Sequence, residues 1–249
     1  MRINSMSEPN LQTIIVLGAS GAIGGALIRT LLNSANTRQI FALSRTPIES
    51  ADPRVTALAI NLENETSLIE AAASCHVEGG VDLIINTIGI LHEGDNIRPE
   101  KGLKELDPET MAHLFRVNTI GPALVMKHFS PLLARDRRAI IASLSARVGS
   151  IGDNKTGGWY SYRASKAALN QLIRTASIEL AARRPHVICV GLHPGTVRSA
   201  MSEPFLQRYT KNEIFEPETA ATALLSVLSG LTPEQTGKIF AWDGQEIQS

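Results

Sequence analysis

An excess of charge of either sign is missing from this 249-residue chain: 24 Lys and Arg balance 24 Asp and Glu. Binding to a nucleic-acid backbone draws on surplus cations, so the balance argues against a nucleic-acid partner. Cysteine is scarce. Cys75 and Cys189 make neither a disulfide framework nor a metal cluster. The 6 histidines show no ligand spacing and no HExxH run, so no metal is expected. Aromatic residues are only 4%, which points to an aliphatic core. No apolar run approaches the ~20 residues that cross a bilayer. The first ten residues lack the apolar centre of a signal peptide. The expectation is a cytoplasmic protein with no membrane association.

What is present is apolar content, at 43%, enough for a large core and too much for a disordered chain. Short apolar runs occupy residues 13–17, 39–43, 55–60, 81–85, 139–144, 186–191 and 238–242. Most are continuous rather than alternating, as in strands covered on both faces. Helix-like stretches lie between them, at 22–33, 65–76, 108–133, 160–182 and 217–228. This alternation predicts an α/β fold: a doubly wound, Rossmann-type sheet of about seven parallel strands with helices on both faces. A (β/α)8 barrel would need one strand more. No linker or repeat divides the chain, so residues 1–249 are expected to form a single domain. Its core would span about 13–243, with 1–12 a poorly ordered tail.

The first strand leads into Gly18-Ala19-Ser20-Gly21-Ala22-Ile23-Gly24-Gly25. A glycine-rich strand-to-helix turn lets backbone amides and a helix N-terminus approach a pyrophosphate. A bare tight turn is the other reading, and position in the first βαβ unit favours the nucleotide. An acidic residue after the second strand would select NAD through the ribose hydroxyls. Ser44-Arg45 stands there instead. A hydroxyl and a guanidinium suit a 2′-phosphate, which favours NADP(H) over NAD(H). The bland alternative for Arg45 is a solvated loop residue.

Tyr162 and Lys166 are four apart, on one face if helical. A nearby ammonium lowers a phenol's pKa and suits it to passing a proton to a carbonyl oxygen. Alone, such a pair is an ordinary surface feature. Combined with the glycine turn, and in this order, the motifs resemble the short-chain dehydrogenase/reductase family from about residue 13 to 243. Gly157-Gly158-Trp159-Tyr160-Ser161-Tyr162-Arg163-Ala164-Ser165-Lys166 is similar to its subgroup of C-factor and sniffer-type carbonyl reductases.

The resemblance implies roles at matching positions. Tyr162 would be the acid/base. Lys166 would tune it and hold the nicotinamide ribose. Asn118 would support a proton-relay water. Gly18, Ser20, Gly21, Ile23 and Gly24 would surround the pyrophosphate. Asn86 and Gly89 match a turn beside the cofactor, and Asn61-Leu62 the adenine edge. Pro194, Gly195, Thr196 and Val197 match the segment at the nicotinamide amide. Two departures stand out. Leu17 and Ala22 replace a Thr and a Gly of the family's turn. The family's catalytic serine falls on Ala146, inside Ser143-Leu144-Ser145-Ala146. Ser145 is the favoured substitute, with Ser143, another donor or a weakened site as alternatives.

Residues 91–102 form a polar loop that is either a substrate lid or a surface excursion. Met201, Phe205, Leu206 and Tyr209 suit an apolar substrate wall or helical core packing. His193 either touches substrate or packs in its loop. The leading expectation is an NADP(H)-dependent oxidoreductase acting on a small-molecule carbonyl or alcohol. The alternatives are a cofactor-binding signalling protein and an isomerase or epimerase on the same fold. The resemblance also implies a homodimer or homotetramer built through residues 108–133 and 160–182. A light-scattering mass equal to one chain at micromolar concentration would contradict that assembly.

Overall fold

The structure is a computed structural model that describes residues 11–94, 96–208, 210 and 214–248. An eight-stranded sheet runs through it in the order β10-β9-β6-β5-β4-β1-β2-β3. Strands β1 (Thr13–Leu17), β2 (Gln39–Ser44) and β3 (Val55–Ala59) form one wing. Strands β4 (Leu83–Asn86), β5 (Ala139–Leu144), β6 (Val187–His193) and β9 (Ile239–Ala241) form the other. These seven are parallel, as the apolar runs predict. An eighth, β10 (Glu246–Ile247), adds an antiparallel edge to β9. It is too short to show as an apolar run. A separate two-stranded sheet pairs β7 (Thr196–Val197) with β8 (Ile214–Phe215).

Successive residues of β1 feed opposite cores, because side chains alternate across a strand. Ile15 and Leu17 join Leu68, Phe129, Leu169 and Ile173 under helices α2 (Glu65–Ser74), α4 (Gly121–Phe129) and α5 (Tyr160–Arg183). Ile14 and Val16 join Leu27, Leu31, Leu224 and Leu228 under α1 (Ala22–Leu32) and α6 (Pro217–Gly230). Both faces are covered, which is why the strand sequences lack polar alternation.

The helix expected over residues 108–133 is in fact four pieces, the last a 3-10 turn at Ser130–Leu132. α3 (Pro108–Phe115) leads through a π-helical turn, Arg116–Ile120, into α4. The cause is Pro122 in the first turn of α4. It has no N–H to offer to the carbonyl four residues back, that of Asn118. The tail expected over 1–12 falls mostly on residues 1–10, outside the described residues. Leu11 is buried, and the Gln12 and Thr13 amides donate to the Asp82 carboxylate at 2.9 Å.

The order reverses at β1, which lies between β2 and β4. In open α/β sheets the ligand crevice forms at the carboxyl ends of strands at such a point. Leu17 pairs with Leu43 on one side and Asn86 on the other. Gly18 follows with φ of +88°. Gly24 lets α1 settle on this turn: a Cβ there would stand 2.1 Å from the Gly18 carbonyl oxygen. The obstacle is backbone, which cannot swing aside. Gly24→Ala is therefore expected to lose ~1–3 kcal/mol or more, as overpacked sites do, read as a lower denaturant midpoint. An unchanged midpoint would contradict this packing.

Candidate active site

The π-helical turn carries Asn118 into the space between β4 and α5. Its side chain is fully buried and clasps one residue of the loop after β4. Oδ1 accepts the Ile90 N–H at 2.8 Å, and Nδ2 donates to the Ile90 carbonyl at 2.8 Å. Nδ2 also reaches the Ser165 hydroxyl on α5 at 3.2 Å. Gly89 lies in the gap between Asn118 and α5. A Cβ on it would stand 3.2 Å from Asn118 Oδ1 and 3.3 Å from Lys166 Nζ. Three sequence-predicted residues, Gly89, Asn118 and Lys166, thus meet at one point.

Tyr162 and Lys166 lie on one face of α5 as their spacing predicts. Lys166 Nζ is 5.7 Å from the centre of the Tyr162 ring. Both residues are buried. The Lys166 ammonium donates to the Leu144 carbonyl at the end of β5, at 2.9 Å. Burial lowers the Lys166 pKa to about 8 and raises that of Tyr162 above the ordinary phenol value. The direction for the tyrosine is thus opposite to the lowering expected from its lysine, and burial is the cause. Loss of hydration on burial disfavours the phenolate.

Ser145 also faces α5. Its hydroxyl donates to Asn170 Oδ1 at 2.6 Å, behind Tyr162 along α5. Ala146 packs in the apolar cluster that holds Tyr162, together with Leu91 and Leu114. The expectation that Ser145 takes the serine role meets a hydroxyl already engaged by Asn170, on the face of β5 that looks toward α5. Ile141 points into the core under α5, and residues two and four further on share that face. Around Tyr162 the wall is apolar: Ile97, Val148, Trp159, Met201 and Phe205 pack against the cluster. Leu206 is buried outside this cluster, and Tyr209 lies outside the described residues. The loop at 91–102 belongs to the wall. His92 Nε2 lies 3.1 Å from the Met201 carbonyl, and the His92 ring meets Phe205 edge-on at 5.7 Å.

The glycine turn sits at the crevice as expected, with a change of detail. The Gly18 and Ala19 amides are used on the Leu43 carbonyl at 2.8 and 3.0 Å, so they are not phosphate donors. The amides of Ala22, Ile23 and Gly24 have no intrahelical acceptor, and α1 has no side-chain cap. Ser20 and Gly21 are exposed beside them. An open helix N-terminus of this kind fits the pyrophosphate of a dinucleotide.

Ser44 does not fit its expected contact with a 2′-phosphate: it is buried and donates to the Thr46 carbonyl at 2.7 Å. Arg45 is exposed at the end of β2. Asn61 is exposed and folds its side chain onto the Glu63 N–H. Leu62 is core, in contact range of Gly121. Asn86 uses Oδ1 on the Ile88 N–H at 3.0 Å and leaves Nδ2 buried without a partner. That amide is a donor toward the crevice end of β4. Beyond β6, Pro194 and Gly195 lead to Thr196–Val197, and a Cβ on Gly195 would strike the Phe215 ring at 2.7 Å. His193 is held neutral, its pKa lowered to about 4 by burial, with Nδ1 unpartnered. Among the described residues no group of acidic, His or Cys side chains is arranged for a metal ion, and no helix is long and apolar enough to cross a membrane.

Sequence reasoning missed Glu100, which is buried against Ser161 at the start of α5. The contact joins residues 61 apart, and no local pattern announces it. It also missed the indole of Trp159, 6.2 Å from the Tyr162 ring, although the preceding Gly157-Gly158 pair signals an unusual backbone.

Comparison with known proteins bears on the family and the fold. The chain is 32% identical to C-signal of Myxococcus xanthus over 169 residues, 68% of this chain and 93% of the relative. It is 29% identical to 1-hydroxy-2-glutathionyl-2-methyl-3-butene dehydrogenase of Rhodococcus sp. (strain AD45), covering 96% of this chain and all of that one. The NADPH-bound carbonyl reductase from chicken fatty liver superposes with a TM-score of 0.84 at 26% identity, over 98% and 97% of the two chains. Carbonyl reductase Sniffer of D. melanogaster shares the fold, with a TM-score of 0.83 at 24% identity over 96% and 100%. Residues 12–210 match the family described as short chain dehydrogenase, and the chain belongs to that family.

Proposed function

We propose that this protein is an NADP(H)-dependent oxidoreductase that interconverts a small carbonyl compound and its alcohol. The observation that carries the reading is the meeting of Lys166 and Asn118 at Gly89, with the Tyr162 ring 5.7 Å from the Lys166 ammonium. A bound nicotinamide supplies the hydride. The open N-terminus of α1 holds its pyrophosphate, and Asn86 and Gly89 border it. Arg45 pairs with the 2′-phosphate, without help from Ser44.

Tyr162 donates its phenolic proton to the carbonyl oxygen, and the raised pKa keeps that proton in place until oxygen charge develops. Lys166, charged below about pH 8, stabilises the phenolate left behind. Asn118, whose carbonyl Pro122 cannot engage, holds a water that carries the replacement proton. With Ala146 beside Tyr162 and Ser145 turned to Asn170, Tyr162 is the one hydroxyl proposed to meet the substrate oxygen. The apolar wall of Trp159, Phe205 and Met201 suits an uncharged substrate.

A second reading has two supports: Ala146 in the serine position and the similarity to C-signal. It makes the protein a cofactor-binding signalling component with little turnover. Tight NADPH binding without oxidation of NADPH by any carbonyl would favour it.

The reductase reading is tested by following NADPH absorbance with a panel of aliphatic aldehydes, aromatic aldehydes, dicarbonyls, quinones and cyclic ketones. Tyr162→Phe should abolish turnover while NADPH still binds. Ser145→Ala should retain turnover within a few-fold. A loss of ~100-fold or more, the effect of removing an oxyanion donor, would return Ser145 to the mechanism. Arg45→Ala should raise the KM for NADPH ~10- to 100-fold, the worth of a charge-assisted hydrogen bond, and leave the KM for NADH unchanged. Equal effects on both would remove Arg45 from cofactor selection.

A further inference from the structure

Helix α5 starts with neither a side-chain cap of its own nor an acid in its first turn. Its N-cap residue, Trp159, has φ of 53° and ψ of 43° and is the one non-glycine with positive φ among the described residues. Gly157 and Gly158 before it are also left-handed, at 64° and 66°. Glycine adopts that region freely, whereas tryptophan does so at a free-energy cost and only where its surroundings fix it.

The fixing group comes from the loop after β4. The Trp159 N–H donates to the Glu100 carbonyl at 2.5 Å. The Glu100 carboxylate accepts the Ser161 N–H at 3.3 Å to each oxygen, and takes the Ser161 hydroxyl as a close donor. Glu100 is 3% exposed and Ser161 0%. Among the described residues no ion pair meets this buried carboxylate. Hydrogen bonds and the positive end of α5 take that place.

The held tryptophan faces the site. Its indole stands 6.2 Å from the Tyr162 ring and 5.3 Å from that of Phe205. One turn into the helix, Arg163 ties back to the carbonyls of Gly158 and Val148 at 3.0 and 3.3 Å. The same loop is pinned at its other end by His92 on the Met201 carbonyl. Glu100 thus joins the loop that lines the substrate side to the helix that carries Tyr162.

We propose that Glu100 is a positioning residue of this site. Its carboxylate closes the first turn of α5 directly after the left-handed Trp159, whose N–H the Glu100 main-chain carbonyl accepts, so that the indole wall and the Tyr162 phenol hold one geometry. It touches neither substrate nor cofactor. The inference rests on the reductase reading and deepens it.

The test compares Glu100→Ala and Glu100→Gln in the full chain by two independent readouts. The first is hydrogen exchange at residues 159–166. The second is the steady-state reduction of 4-nitrobenzaldehyde by NADPH. In Glu100→Ala the exchange of the first turn of α5 should rise ~10-fold or more, with β1 and α1 unchanged, because the opened unit is local. Its kcat should fall ~10- to 100-fold, as small misplacements of a reacting group do, with the KM for NADPH unchanged. Glu100→Gln retains an oxygen for the Ser161 N–H and should recover both protection and most of kcat.

Wild-type kcat in Glu100→Ala overturns the proposal. So does exchange that rises evenly through the chain, which would mark a merely structural role. Glutamine as impaired as alanine overturns the hydrogen-bond account. If Glu100→Ala fails to fold, Ser161→Ala should show the same local rise and a few-fold drop in kcat, and wild-type values there overturn the proposal. A wild-type protein inert toward 4-nitrobenzaldehyde counts against the reductase reading, whereas the exchange readout still decides whether Glu100 holds the turn.

Discussion

A buried ammonium must find oxygen, and much of the site's geometry follows from how Lys166 does so. Its side chain leaves α5, crosses the inner layer and donates to the last carbonyl of β5, that of Leu144. The contact locks the helix to the carboxyl edge of the sheet. Small residues on either side make it possible. A Cβ on Gly149 would stand 2.8 Å from the Lys166 Cβ, and one on Gly89 3.3 Å from its Nζ. Once Lys166 is placed, Tyr162 one turn earlier is placed with it, facing an apolar wall. Burial then separates the two groups, lowering the lysine and raising the tyrosine. A phenol that keeps its proton beside an ammonium at its limit of stability is suited to giving a proton to a developing alkoxide.

The fold supplies the partners for this pair from elements far apart in sequence. Pro122 forces the wide turn that presents Asn118, and Asn118 clasps Ile90 at the end of the β4 edge. Thr119 donates to the Ser165 carbonyl at 2.8 Å, so the same turn also grips α5. The helix pair and the sheet edge therefore hold one another through polar contacts in an otherwise apolar interior. The crevice opens where the strand order reverses, beside Gly18 and Asn86.

Much of this architecture was legible in the residues alone. Seven apolar runs predicted the seven parallel strands, six of them largely buried and the edge strand β3 only half-buried. Tyr162 and Lys166 share a helical face for the reason their spacing states. Where the reading failed, the missing information was three-dimensional. Ser145 looked like a donor for Tyr162, yet the pleat of β5 sends it toward Asn170. Ser44 looked like a phosphate contact, yet its hydroxyl turns to the Thr46 carbonyl two residues on. The break at Gly121-Pro122 was visible in principle, since proline cannot serve the carbonyl four residues back. Glu100 was not visible: nothing in a Pro-Glu-Lys stretch says that its carboxylate is buried under a helix 61 residues later.

The central claim is that this crevice moves a hydride between nicotinamide and a carbonyl carbon while Tyr162 handles the proton. The most direct test supplies NADPH deuterated at C4, on each face in turn, with 4-nitrobenzaldehyde, and reads the alcohol by mass spectrometry. The account predicts deuterium on the carbinol carbon from one face and none from the other. Alcohol formed without label from either face, or bound NADPH that transfers nothing to any carbonyl, would contradict it.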